Sequence, residues 1–288
     1  MEKVKKENVL KAILVSLLFP VIYLVVMVLV NLVSQLFYMV VLGFTQEAYE
    51  AAGNVILLAS AAVFFLVTFI IFKTRHQSLL KRIQWNPAPK KSVYAFAALL
   101  TLGIFLVTVM VQLVLIPQSW MANDTQINDT QINNVSGLSL IWTIAIGGII
   151  IPIAEETAFR GLMMTHLQER VAPWLAVAMT ALVFSVVHIT DSFGHMFVAL
   201  PAAVVLSLVF LWTRSIRATM TMHILYNSVP SIIASITAGA SDSTSSDDSS
   251  STLTLIIMGL IGLAITVVML YLIYKRRVKA APEFQSEV

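Results

Sequence analysis

Glu155, Glu156 and Arg160 fall within one apolar stretch, GGIIIPIAEETAFRGLMM, where hydrocarbon depth is expected. A charge taken out of water costs several kcal/mol unless it is paired and hydrogen-bonded. Ionisable groups inside a membrane segment therefore mark a functional site by default. On a helix, Glu156 and Arg160 share a face, with the acid on the N-terminal side, the better order for an ion pair. Glu155 points about 100° away. One carboxylate is thus neutralised, while the other is left to face a cavity and take a proton from water. Pro152 lacks a backbone N–H and, with the Gly147-Gly148 pair, loosens the preceding turn.

Two further groups have matching spacing: Phe184-x-x-x-His188 and His223-x-x-x-Asn227. Each pair lies on one helix face. Histidine can accept a proton, orient water or bind a metal. Asparagine offers a neutral amide donor, suited to a developing oxyanion. Each group also has a structural reading. Glu156–Arg160 alone would serve as a buried strut, and His188 or Asn227 alone would make an interhelical hydrogen bond. His166 and His195 lie near the ends of spans and His76 in a basic loop, so no role is expected for them. Asp191, one turn beyond His188, is placed to orient it, although a position at the interface is the expectation. There is no H-E-x-x-H, no glycine-rich phosphate loop and no G-x-S-x-G elbow. The chain has no cysteine, which excludes disulfides and thiolate chemistry.

The elements that must hold these groups follow from composition. The chain is 58% hydrophobic and 11% charged, with a mean hydropathy of +0.88. A soluble domain would carry about 25% charged residues. An all-α polytopic bundle of about eight transmembrane helices is expected, with spans near 10–42, 54–72, 92–116, 138–168, 173–190, 196–213, 218–238 and 253–274. The apolar stretch from about Leu10 to Gly43 exceeds the roughly 7–15 residues of a signal-peptide core, so a retained first helix is expected. Residues 1–288 read as one membrane-embedded domain: a three-helix part at 1–116, a catalytic core at about 138–238, and a last helix at 253–274.

Of the 18 Lys and Arg residues, all but Arg160 flank these spans. They fall at the N-terminus, at 73–91, at Arg170, at Arg214 with Arg217, and at 275–279. The intervening loops, 43–53, 117–137, 191–195 and 239–252, have none. Eight crossings put every basic loop on one side. The positive-inside rule makes that side cytoplasmic, with both termini inside. This accounts for the net charge of +3 and the pI near 9.1 without a nucleic-acid partner. NDTQINDTQI at 123–132 is a tandem repeat, and 239–252 is a Ser/Asp-rich segment expected to be disordered. The sequons at Asn123, Asn128 and Asn134 read as chance matches in a bacterial chain.

Depth tests the site. At 1.5 Å per residue, Glu155 lies roughly 20 Å and His188 about 23 Å from the inner ends of their helices; His223 and Asn227 lie about 8–14 Å from theirs. Convergence then needs tilt or a water-filled cavity, expected to open to the cytoplasm.

The ordered set E-E-x-x-x-R, F-x-x-x-H and H-x-x-x-N on three membrane helices resembles the CPBP family, which includes CAAX prenyl proteases and bacteriocin-processing or self-immunity proteins. The resemblance covers about residues 138–238. It implies an intramembrane endopeptidase in which Glu155 and His188 activate water, His223 and Asn227 hold the oxyanion, and Glu156 and Arg160 organise the site. Members are often labelled metalloproteases. Glu155, His188 and His223 are the candidate zinc ligands, although a metal-free glutamate mechanism needs no cofactor. The expected partners are the lipid bilayer and a membrane-associated peptide or protein substrate, in a bacterial plasma membrane. Rival readings are a non-catalytic scaffold or bacteriocin self-immunity protein on the same fold, and a proton-coupled transporter.

Overall fold

A computed structural model of the chain describes residues 7–43, 45, 49, 52–121, 137–237 and 248–278. The described residues form helices and their connections. These are α1 (Glu7–Leu36, prolonged by a π-turn at Phe37–Val41), α2 (Gly53–Thr74), the short α3 (Leu79–Arg82), α4 (Ser92–Met110, with a π-turn at Val111–Leu115), α5 (137–168), α6 (Pro173–Val187), α7 (Phe193–Thr213), α8 (Ile216–Thr237) and α9 (Asp248–Lys275). Within α5, π-helical turns at Ile144–Ile150 and Thr157–Met164 flank an α-helical Ile151–Glu156. The tandem repeat and the three sequons lie outside the described residues. The expected disorder at 239–252 is corrected in part: α9 already begins at Asp248.

Among the described residues, seven helices are long and apolar enough to cross a membrane: Val9–Val41, Gly53–Thr74, Ser92–Leu115, Leu140–Gln168, Pro173–Thr190, Phe193–Thr213 and Thr252–Lys275. The eighth expected span is α8, a 22-residue helix. It is less apolar because His223, Asn227 and several Ser and Thr residues occupy it. The bundle is thus least hydrophobic where its polar site is built.

In α1 the lipid-facing and packing faces separate clearly. Leu14, Leu18, Val21, Val25 and Leu32 are exposed, while Ala12, Ser16, Pro20 and Tyr23 are buried. Both sets recur at three- and four-residue steps, the spacing of one helix face. Apart from Tyr23, which reaches the site, the named buried residues are small, as helix packing in lipid favours.

Local signals set the helix ends. Pro173 opens α6, where its missing N–H costs nothing. Ser192 caps α7, its Oγ accepting from the His195 N–H at 3.0 Å. Arg214 closes α7 in the left-handed region, at φ 50°. The basic connections meet on one face. There Arg82 pairs with Glu169, and Arg214 Nη1 donates to Gln168 Oε1 at 2.5 Å. The Ile216 N–H donates to the Gln84 carbonyl at 3.2 Å, and Ser215 Oγ to the Asn86 carbonyl at 2.6 Å. On the opposite face Trp120 packs edge-on against Phe193 at 4.9 Å between ring centroids.

Candidate active site

The site is assembled where α5 and α8 pack closely together. A Cβ on Gly148 would lie 2.5 Å from Ser228 Oγ and 3.4 Å from Ser228 Cβ, so a larger residue would have to displace that hydroxyl. Pro152 has no N–H to offer the carbonyls four and five residues back, Gly148 and Gly147. Helix α8 supplies the missing donors: Ser228 Oγ donates to the Gly148 carbonyl at 3.3 Å, and Asn227 Nδ2 to the Gly147 carbonyl at 3.5 Å. A proline, two glycines and an asparagine-serine pair thus set the register of the two helices.

The Glu156–Arg160 pair forms as the spacing predicts, with Arg160 Nη1 donating to Glu156 Oε1 at 2.8 Å and both side chains fully buried. Arg160 Nη2 donates to the Ala203 carbonyl of α7 at 3.2 Å. Its guanidinium lies 4.4 Å from the centroid of the Phe184 ring, a cation–π contact that strengthens when desolvated. Arg160 therefore ties α5 to α6 and α7.

Glu156 also orients His223. His223 Nδ1 lies 3.0 Å from Glu156 Oε1, the oxygen that Arg160 holds. An ionised carboxylate only accepts, so Nδ1 carries the proton. His223 Nε2 then faces Glu155, 3.6 Å from its Oε2. His188 is fixed in the same way. Its Nδ1–H donates to the Phe184 carbonyl at 2.8 Å, which leaves Nε2 as its open nitrogen. Phe184 thus serves twice: its carbonyl sets the His188 tautomer, and its ring lies against Arg160.

Glu155, His188, His223 and Asn227 line one cavity of about 510 Å³. Glu156 and Arg160 stand behind its wall. The structure therefore brings together all six residues singled out from sequence, four at the cavity and two supporting them. As for the candidate zinc set of Glu155, His188 and His223, no three His, Asp or Glu side chains gather at metal-ligand spacing among the described residues. These three do not form a ready metal seat.

Three residues at the site were not expected there. Tyr23 of α1 points its hydroxyl at Glu155 Oε1, 3.5 Å away, and is 4% exposed. Its ring is held edge-on by Phe64 at 5.2 Å and Phe159 at 6.3 Å. His195 stacks on His188 with centroids 5.5 Å apart and rings 15° from parallel, and both His195 and Asp191 line the cavity. By contrast, His166 lies at the basic end, its Nδ1 3.2 Å from Arg82 Nη2.

Residues 137–229 match the family model described as type II CAAX prenyl endopeptidase, Rce1-like. The matched segment spans α5 to α8 and carries all six site residues. The likeness covers 93 of the 288 residues, about a third of the chain. No curated protein and no solved structure matches the chain.

Proposed function

We propose that the protein is an endopeptidase that hydrolyses peptide bonds of membrane-associated proteins or peptides, using water activated by Glu155 and His188. The observation that carries this reading is that Glu155, His188, His223 and Asn227 line one cavity. Water sits between Glu155 and the open Nε2 of His188. Glu155 takes one of its protons as the oxygen attacks the peptide carbonyl carbon. The carbonyl oxygen becomes an oxyanion and accepts from His223 Nε2–H and from Asn227 Nδ2, whose amide keeps a second hydrogen beyond the one turned to Gly147. When the intermediate collapses, the C–N bond breaks and Glu155 returns its proton to the leaving amine.

His223 is a donor at Nε2 only when both its nitrogens are protonated. Glu156 Oε1 accepts from Nδ1 at 3.0 Å. In that state the protonated Nε2 lies 3.6 Å from Glu155 Oε2. The chain works in a bacterial plasma membrane on this reading, and no step is routed through a metal.

The test is cleavage of a quenched fluorescent peptide library by detergent-purified protein, wild type beside Glu155→Gln, each with and without a zinc chelator. Cleavage by wild type that persists with chelator and is lost in Glu155→Gln is the expected result. Equal cleavage by both proteins would overturn the assignment of Glu155. Loss on chelation with recovery on zinc addition would overturn the metal-free mechanism.

A further inference from the structure

Resting on the protease reading, we propose that His195 is a positioning residue: it fixes the ring plane of His188, so that the open Nε2 meets the attacking water in one orientation. The last torsion of a histidine side chain sits in a broad, roughly two-fold well. The hydrogen bond from Nδ1 to the Phe184 carbonyl, at 2.8 Å, selects the tautomer but leaves the ring to rock about that bond. The Phe184 ring lies 4.7 Å away between centroids and is tilted by 42°, so it bounds the imidazole without lying flat on it. His195 gives the flat contact. Its ring is 15° from parallel to that of His188, with centroids 5.5 Å apart, inside the range of offset-stacked pairs. Both imidazoles line the cavity together with Glu155.

The local sequence builds this contact. Helix α6 ends at Val187, and His188–Thr190 make a single 3-10 turn. The His188 carbonyl accepts from the N–H groups of Asp191 at 3.1 Å and Ser192 at 3.4 Å, which folds the chain back at once. Ser192 then caps α7 by accepting from the His195 N–H, so the cap that starts the helix also fixes the backbone of the stacking residue. The end of α4 and the segment after it brace the turn. A Cβ on Gly194 would run into Met121 and lie 2.9 Å from Ile116 Cγ2, so the turn rests directly on both. Met121 is 2% exposed, and Ser192 Oγ donates to its Sδ at 3.8 Å. These contacts hold the chain around His195 without using the reacting groups, as a support for His188 requires. A catalytic group displaced by about 1 Å can cost about 10²-fold in rate, which bounds the effect of losing that support.

The test compares His195→Phe, which keeps a flat ring, with His195→Leu and His195→Met, which fill similar space without one. Each is made in the full chain and purified in detergent, and each is assayed on a quenched peptide that wild type cleaves. The kcat of His195→Leu and His195→Met should fall about 10–100-fold with KM within about twofold, while His195→Phe stays within about threefold of wild type. Wild-type kcat in His195→Leu and His195→Met, a rise in KM alone, or an equal loss in His195→Phe would overturn the proposal. A second readout needs no cleavage. NMR of the protein with isotope-labelled histidine, assigned by comparison with His188→Gln, reports which nitrogen of His188 carries the proton and whether the ring is held in one environment. One sharp signal with the proton on Nδ1 is expected for wild type and His195→Phe, and a broadened or mixed signal for His195→Leu and His195→Met. An unchanged His188 signal in the variants without a ring overturns the proposal. Silence of wild type toward every peptide counts against the protease reading, while the His188 signal still decides whether His195 holds the ring.

Discussion

His223 Nδ1 and Arg160 Nη1 converge on a single oxygen, Glu156 Oε1, at 3.0 and 2.8 Å. Glu156 therefore acts through its neighbours. It holds the guanidinium that binds α7 and sets which nitrogen of His223 faces the cavity. Glu155, one residue earlier, is turned to the cavity itself.

Replacing Glu155 by Gln removes the proton acceptor at nearly constant shape. Cleavage should fall by about 10²–10⁴, the usual contribution of a general base. The detergent-solubilised variant should keep the thermal unfolding midpoint of wild type. Retained cleavage would remove Glu155 from the chemistry.

Asn227→Ala and His188→Ala separate the two sides of the reaction. Loss of the Asn227 donor is expected to lower kcat by about 10²–10³ with KM little changed, because the oxyanion exists only beyond the ground state. His188→Ala should also act on kcat. A rise in KM alone for either would reassign that residue to substrate binding.

Breaking the buried pair is a matter of stability first. Arg160→Met leaves Glu156 without its countercharge, which typically costs about 3–5 kcal/mol. Glu156→Gln/Arg160→Met removes both charges, so the unfolding midpoint should recover while cleavage stays low. A double variant as unstable as the single would show that Arg160 matters mainly through Ala203 and Phe184.

Gly148→Ala tests the contact between α5 and α8. The added methyl meets Ser228 Oγ at 2.5 Å, and overpacking of this kind costs about 1–3 kcal/mol. Adding Ser228→Ala leaves Ser228 Cβ, at 3.4 Å, as the nearest contact, so the pair should be more stable than Gly148→Ala alone. Equal melting of the single and double variants would contradict this spacing.

Tyr23→Phe keeps the ring between Phe64 and Phe159 and removes only the hydroxyl beside Glu155. One hydrogen bond contributes about 0.5–1.5 kcal/mol, so kcat should fall about 2–10-fold. As a positioning residue, Tyr23 should also move the pH–rate profile while leaving the unfolding midpoint in place. An unchanged profile would make it a packing residue.

The order of the helices and the gathering of basic connections on one face were legible in the chain, because apolar length and the placement of Lys and Arg carry that information directly. The Glu156–Arg160 pair was legible from its four-residue spacing. The meeting of Glu155 with His223 was harder to read. The depth estimate applied an α-helical rise throughout α5, whereas the π-turns at Ile144–Ile150 and Thr157–Met164 shorten the helix and rotate its faces. A π-turn has no single-residue signature. Tyr23 was not legible either, since an aromatic in a first span reads equally as packing, and only the tertiary fold carries it to Glu155.

Because Glu156 and Arg160 belong to the same helix, their pair closes as soon as α5 is wound, before α6, α7 or α8 exist. The nascent segment therefore enters the bilayer with its countercharge already aboard, and presents lipid with one carboxylate rather than three separate ions. The later helices inherit a guanidinium already committed to Glu156, with Nη2 left for the Ala203 carbonyl and its flat face for Phe184. Insertion and assembly are thereby uncoupled: the first is settled within one helix, the second by the contacts that helix still has to offer.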